Sequence, residues 1–263
     1  MSVYKNDTFD LFESALNSIL NQTYNNLHIF ICADGPISPK ITQLIKGLDR
    51  NIVTFISNEQ NKGLSVSLNR LIDIVLREKK YEFIARMDAD DISVDTRFEK
   101  QVDYLIKNPI TDVIGTKCQE FGSNNARKTC SIYENNNEIY HNIFKRCPFI
   151  HPSVMFRCQV FCDGTRYPVD TPYTEDLHLW FILASKNKVF HNLNDTLLNY
   201  RIDDKTLERR RGLRKAITEF SIRIKYIFIL KRFSIQPIFY TFAHFFVRIL
   251  PVCFFKRIYL KRG

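Results

Sequence analysis

Three short apolar runs, set apart by segments of helix length, constrain the fold more than any other feature. Residues 27–33, 52–57 and 83–87 each have strand length. Between them, 41–48 and 63–77 carry apolar residues at helical spacing, as 10–20 does ahead of the first run. Strands alternating with helices predict an α/β fold, a mixed and mostly parallel sheet with flanking helices. In such sheets ligands lie beyond the carboxyl ends of the strands. Asp34-Gly35-Pro36 closes the first run and Asp88-Ala89-Asp90-Asp91 the third, so Asp34 and Asp88 are expected in one cleft.

The second of these ends is chemically unusual, with three carboxylates in four residues. If the strand pattern persists, residues two apart share a face and Asp88 and Asp90 aim at one point. Like charges that close repel unless a cation lies between them. Hard oxygen ligands suit Mg²⁺ or Mn²⁺, and Mg²⁺ is usually held by one or two carboxylates together with substrate phosphates. An Asp-rich turn also suits the start of a helix expected over 93–107.

Residues 112–165 are less regular, and 124–137 reads as a polar loop. Thr174-Glu175-Asp176 precedes Leu177, Leu179, Trp180, Phe181, Leu183 and Ala184 at helical spacing, which makes helix capping one role for the acidic pair. A carboxylate there can also act as a general base, and the two roles can coexist. For Trp180 packing is the expected role, and His178 is read either as lining the acceptor side or as part of a solvated helix face.

Charge is distributed unevenly. From residue 205 to 263 fifteen Lys or Arg stand against Glu208 and Glu219, so the tail carries more than the whole net charge of +10 and residues 1–204 are slightly acidic. An acidic body repels phosphate backbones, and the tail's aromatics lie in apolar runs rather than basic grooves, so no nucleic-acid partner is expected. Residues 233–255 are almost all apolar or aromatic but contain Arg248, Pro237 and Pro251. That composition predicts helices lying on or shallowly in an anionic membrane, with Lys231-Arg232 and Lys256-Arg257 toward lipid phosphates. The alternative is a helix pair packed on the rest of the chain. Seven cysteines without a paired framework predict reduced thiols in the cytoplasm, and the irregular spacing of Cys147, His151, Cys158 and Cys162 argues against zinc. No signal peptide is expected, since polar Lys5-Asn6-Asp7 follows the start.

Taken together these segments resemble the inverting family-2 glycosyltransferases with the GT-A fold, over roughly residues 1–203. Ser2-Val3-Tyr4-Lys5-Asn6 looks like the family's opening nucleotide loop, and Cys32-Ala33-Asp34-Gly35 like the strand end whose Asp reads uracil. Asn61-Lys62-Gly63-Leu64 with Asn69 is similar to its N-x-G-x…N segment, and Arg86-Met87-Asp88-Ala89-Asp90-Asp91 to its DxD region. The resemblance implies that Tyr4, Asp34, Asn69, Arg86, Asp88 and Arg201 bind a nucleotide-sugar, probed first as a UDP-sugar. It implies that Asp90 with Asp88 holds Mn²⁺ or Mg²⁺ and that Asp176 is the catalytic base. His151, Arg157 and Glu175 then lie on the acceptor side. Family members carry a further apolar run before S-V-Y, whereas Met1 stands directly ahead of it here, so the first strand is expected to be missing, at a cost in stability.

The organisation expected is a catalytic domain over 1–204, with a nucleotide-binding part to about 115 and an acceptor part over 116–204, then a membrane-associating tail over 205–263. A polyprenyl-diphosphate-linked or other glycan acceptor in cell-surface polysaccharide or O-antigen synthesis, at the cytoplasmic face of the plasma membrane, fits that organisation. Two other readings compete. D-x-D also opens phosphatases of the haloacid-dehalogenase type, though there on the first strand, and the basic tail alone is compatible with a non-enzymatic membrane- or nucleic-acid-binding protein.

Overall fold

A computed structural model describes the chain except residues 124, 125, 127, 128, 131, 172, 204–210, 253, 256, 257 and 259–263. The expected boundary at 204/205, the pair Lys256-Arg257 and part of the 124–137 loop lie outside the described residues.

The first half alternates as the apolar periods predict. Strand β1 (Ser2–Val3), helix α1 (Phe9–Leu20), β2 (Ile29–Ala33), α2 (Pro39–Lys46), β3 (Val53–Ser57), α3 (Leu64–Glu78) and β4 (Phe83–Ala85) follow in order. β1, β2 and β3 form a parallel sheet, with Val3 opposite Ala33 and Ala33 opposite Ser57. A first strand is therefore present, though only two residues long. The remaining strands are β5 (Ile92–Ser93), β6 (Val113–Phe121), β7 (Met155–Arg157) and β8 (Phe190–Arg201), in a second sheet of order β4-β7-β6-β8-β5. There only β6 and β8 are parallel, and β7 runs antiparallel to both β4 and β6. The parallel part of the fold is thus the part built from strand–helix–strand units.

Helices α4 (Arg97–Lys107), α5 (Asn136–Asn142) and α6 (Glu175–Ser185) complete this body. α5 begins inside the segment read as a loop, because Asn135 accepts from the Glu138 amide at 3.1 Å and caps it. One apolar core joins α1, α2 and α4 to both sheets through Phe12, Leu16, Ile31, Ile41, Phe98 and Ile114. A second gathers Phe149, Phe156, Phe161, Trp180, Phe181 and Phe190. Trp180 is fully buried and stacks on Phe156 at 5.8 Å, so packing is its role. Each such ring withdrawn from water contributes about 1.5–3 kcal/mol.

The tail forms α7 (Leu213–Ile229) and α8 (Ile235–Ile249), and α7 contributes Ile222, Tyr226 and Ile227 to the second core. α8 is inside-out, and α7 buries charged as well as apolar residues. α8 buries Pro237, Thr241 and His244, while Ile235, Ile238, Phe239, Phe242, Phe246 and Ile249, which share one face at helical spacing, are 41–86% exposed. α7 turns Lys215, Glu219 and Arg223, spaced i, i+4 and i+8, toward the body, and exposes Leu213, Ile217 and Phe228. Glu219 accepts from Arg223 at 2.8 Å and from Arg248 at 2.9 Å, and Arg223 donates on to the Phe144 carbonyl at 2.5 Å. Among the described residues no helix is long and apolar enough to cross a membrane.

Candidate active site

The site is assembled at the carboxyl ends of β2 and β4. Asp34 follows β2 and is buried at the start of α3, where its carboxylate accepts from the amides of Lys62 at 2.8 Å and Gly63 at 2.9 Å and from the Asn58 side chain at 2.8 Å. A carboxylate at a helix N-terminus is favoured by the exposed amides and the helix dipole. The loop approaches so closely that a Cβ on Gly35, whose φ is +87°, would lie 2.7 Å from the Asn61 nitrogen. That contact and the positive φ explain the glycine. Tyr4 lies alongside, since the Asp34 amide donates to Val3 at 2.7 Å, and its own amide donates to Asp7 at 2.8 Å.

Beyond β4 the strand-like alternation persists into the acidic turn. Met87, Ala89 and Asp91 are buried, whereas Asp88 and Asp90 are half-exposed on the other face. Arg86 pairs with Asp88. Burial alone would raise the Asp88 carboxyl, but the Arg86 guanidinium and then His151 outweigh it and hold the group below the usual carboxylate range. Asp91 behaves oppositely. Burial, then repulsion from Asp88 and Asp90, pushes its carboxyl well above that range. The three acids of this turn are thus unequal: Arg86 favours the charged form of Asp88, while burial disfavours that of Asp91. Asp91 instead ties the turn to β8, accepting from the Arg201 amide at 2.7 Å, while Arg201 donates from Nε to the Asp90 carbonyl at 3.1 Å and stacks over Phe121.

The oxygens of Asp88 and Asp90 suit a hard divalent cation. Among the described residues no three His, Cys, Asp or Glu form a self-sufficient metal cage. This donor set fits an ion that shares its coordination with a substrate's phosphates.

The α6 end supplies the second acidic pair. Thr174 is the N-cap residue but makes no side-chain cap bond, its hydroxyl donating back to the Thr171 carbonyl at 3.2 Å, while Asp176 in the first turn accepts from the Leu177 amide at 2.7 Å. Burial, then Asp176, raises the Glu175 carboxyl. His151 bonds Tyr167 Oη at 2.9 Å. Burial, then Arg86, brings its imidazole down to about 4, so the ring is neutral at physiological pH, and both Asp88 and Asp176 bear on it. Asp88 and Asp176 thus both act electrostatically on the His151–Tyr167 pair.

Two expected site residues have other partners. Asn69 is bonded in both directions to the Tyr167 backbone, at 2.8 and 2.9 Å, and so fixes Tyr167. Arg157 donates to the carbonyls of Thr111 at 2.8 Å and of Leu105, at the turn following α4. His178 packs against Tyr226 at 5.8 Å, with Nδ1 3.4 Å from Thr171 Oγ1.

Sequence reasoning missed Arg97 and Lys215. Arg97 is fully buried beneath the acidic turn, donating to the Arg86 carbonyl at 2.8 Å and to Gln101 at 3.0 Å, and burial lowers it to about 9. Nothing in its spacing announces this, since Arg at a helix start is ordinarily solvated. Lys215, from the tail, donates to the Tyr173 carbonyl at the entrance to α6. Its signal was present as the i, i+4, i+8 stripe with Glu219 and Arg223.

Residues 1–165 match the family described as Glycosyl transferase family 2. An O-antigen biosynthesis glycosyltransferase from Escherichia coli, WbnJ, is 32% identical over 80% of this chain and 80% of its own length. The E. coli UDP-Gal:alpha-D-GlcNAc-diphosphoundecaprenol beta-1,3-galactosyltransferase is 30% identical over 99% of this chain and 94% of its own length. Among solved structures, S. aureus TarS 1-349 in complex with UDP superimposes with a TM-score of 0.61 at 14% identity, covering 88% of this chain and 70% of that one. A mannosyltransferase from Pyrobaculum calidifontis, in complex with GDP-Man and Mn2+, has the same score and identity, over 86% of this chain and 63% of its own. These likenesses show the GT-A fold.

Proposed function

The chain belongs to glycosyl transferase family 2, and we propose that it moves a sugar from a UDP-sugar to a lipid-linked glycan acceptor, with inversion, in the building of cell-surface polysaccharide or O-antigen. The observation that carries this reading is the convergence of Asp88 and Asp176, from separate strand and helix ends, on the His151–Tyr167 pair. Names of relatives that build O-antigen and act on a diphosphoundecaprenol carrier support the acceptor class.

In this reading Tyr4 and Asp34 hold the base, with the Asp34 carboxylate aimed by the Lys62 and Gly63 amides. Asp88, with Arg86 beside it, faces the ribose and diphosphate, and Arg201 lies at the diphosphate. Asp88 and Asp90 would hold Mn²⁺ or Mg²⁺, which supplies neutralisation of charge on the departing diphosphate. Asp176 accepts the proton of the acceptor hydroxyl as that oxygen attacks the anomeric carbon. Neutral His151 and Glu175 line the acceptor side.

A phosphatase of the haloacid-dehalogenase type is not favoured, because the acidic cluster follows the fourth strand rather than the first. Calorimetry with UDP, with and without Mn²⁺, tests the donor site. Asp90→Ala should weaken metal-dependent UDP binding by more than about tenfold, since a direct ligand outweighs the 10–100-fold of an outer-shell partner. Metal-independent binding of equal strength in both proteins would overturn the assignment. Turnover of UDP-galactose on GlcNAc-diphosphoundecaprenol, then of other UDP-sugars, tests the reaction.

The same reading has residues 1–204 as catalytic domain and 205–263 as a tail seated peripherally on the cytoplasmic face of the plasma membrane. The outward apolar face of α8 beside Lys231 and Arg232 supports a lipid surface, because that much exposed Phe and Ile is a liability in water. Replacing Phe239 and Phe246 together by Glu should lower partition onto phosphatidylglycerol vesicles about 10²–10⁴-fold, at about 1.5–3 kcal/mol per ring. Unchanged sedimentation with vesicles would exclude this face.

A further inference from the structure

α7 does more than anchor. Its Nζ donor Lys215 reaches the carbonyl of Tyr173, a residue whose φ of +64° turns the chain into α6 two and three positions before Glu175 and Asp176. A non-glycine residue in that region is strained and persists only where its surroundings hold it. Two contacts hold α7 in register with α6: Tyr226 stacks on Phe181 at 5.1 Å and meets His178 edge-on. The Glu219–Arg223–Arg248 cluster fixes the same face one and two turns further along, and Arg223 is bonded to the body at Phe144. Lys215 also lies within electrostatic reach of Glu175 and Asp176, two carboxylates adjacent in sequence whose repulsion it offsets.

From this arrangement, and on the reading that Asp176 is the base, we infer that Lys215 is a positioning residue of the transfer reaction. It pins the α6 entrance so that Asp176 faces the acceptor, and it makes the tail part of the catalytic unit. The donor site, built from β2, α3 and the acidic turn, does not depend on it.

The test uses the full chain and three variants at this position. Lys215→Met should lower kcat about 10–100-fold, the scale of a misplacement of about 1 Å, with the donor KM and the Kd for UDP unchanged. Lys215→Arg, which keeps charge and donors, should recover most of that loss, and Lys215→Gln, which keeps only a donor, should recover less. Hydrogen exchange followed by mass spectrometry should show faster exchange over residues 173–178 in Lys215→Met, and no change in exposed Arg214→Ala. A kcat within about twofold of the parent, or unaltered exchange at the α6 entrance in both Lys215→Met and Lys215→Gln, would overturn the inference; the twofold margin is the context scatter of single-residue effects. If the unsubstituted chain turns over none of the UDP-sugars while the exchange difference stands, the functional reading fails and the pin remains.

Discussion

Asp176→Asn is expected to lower kcat by about 10²–10⁴-fold, the contribution of a positioned general base. The substitution keeps the shape of the side chain and the acceptor oxygen for the Leu177 amide, so that bond in the first turn of α6 survives. It removes the capacity to take a proton. UDP binding, measured by calorimetry on the same preparation, should be unaltered, because the Asp176 carboxylate is bonded to the Leu177 amide of its own helix. Loss of UDP binding together with turnover would mean that the variant had disturbed the site at large and would sink the assignment of the base. An equal fall in Glu175→Gln would spread the role over both carboxylates.

The largest effect on stability is expected at Glu219. Its carboxylate is almost fully buried and is the shared acceptor for Arg223 and Arg248, with His244 3.7 Å away. Glu219→Ala leaves the buried Arg223 charge uncompensated, and breaking one side of such a pair costs about 3–5 kcal/mol. Urea denaturation at pH 7 measures it, and a loss below about 1 kcal/mol, the scale of an exposed pair, would contradict the burial of this cluster. The pH dependence follows from the same charges. Burial alone would raise the carboxyl, but Arg248 and Arg223 overcome it and hold it far below the ordinary value of 4.5. Its stabilisation is therefore complete above the unfolded value and is lost as pH falls toward the folded one. Acid should release α7 and α8 from the body before neutral salt does.

The apolar periods of the first half were legible because β2, β3 and α1 to α3 each satisfy their backbone locally or against a sequence neighbour. β6 and β8 were not. β8 reads Phe-His-Asn-Leu-Asn-Asp-Thr-Leu-Leu-Asn-Tyr-Arg, polar and rich in Asn, and it is a strand because β6 and β5 flank it. Strand propensity in such a segment depends on its neighbours more than on its composition. The tail was legible in composition and charge, yet the direction in which its helices face was not, since apolar residues outnumber polar ones and either face could have been buried.

The acidic turn divides the two contributions most clearly. The order of residues alone determined that Asp88 and Asp90 share a face and that Asp34 closes an earlier strand, because alternation along an extended chain is a local property. Only the tertiary structure decided that burial raises the Asp91 carboxyl, that Arg97 lies beneath the turn, that Asn69 and Arg157 hold the backbone, and that Lys215 comes from the tail to the start of α6. Those outcomes depend on burial and on charges brought together from distant segments, and electrostatic energies of that kind exist only once the chain has folded.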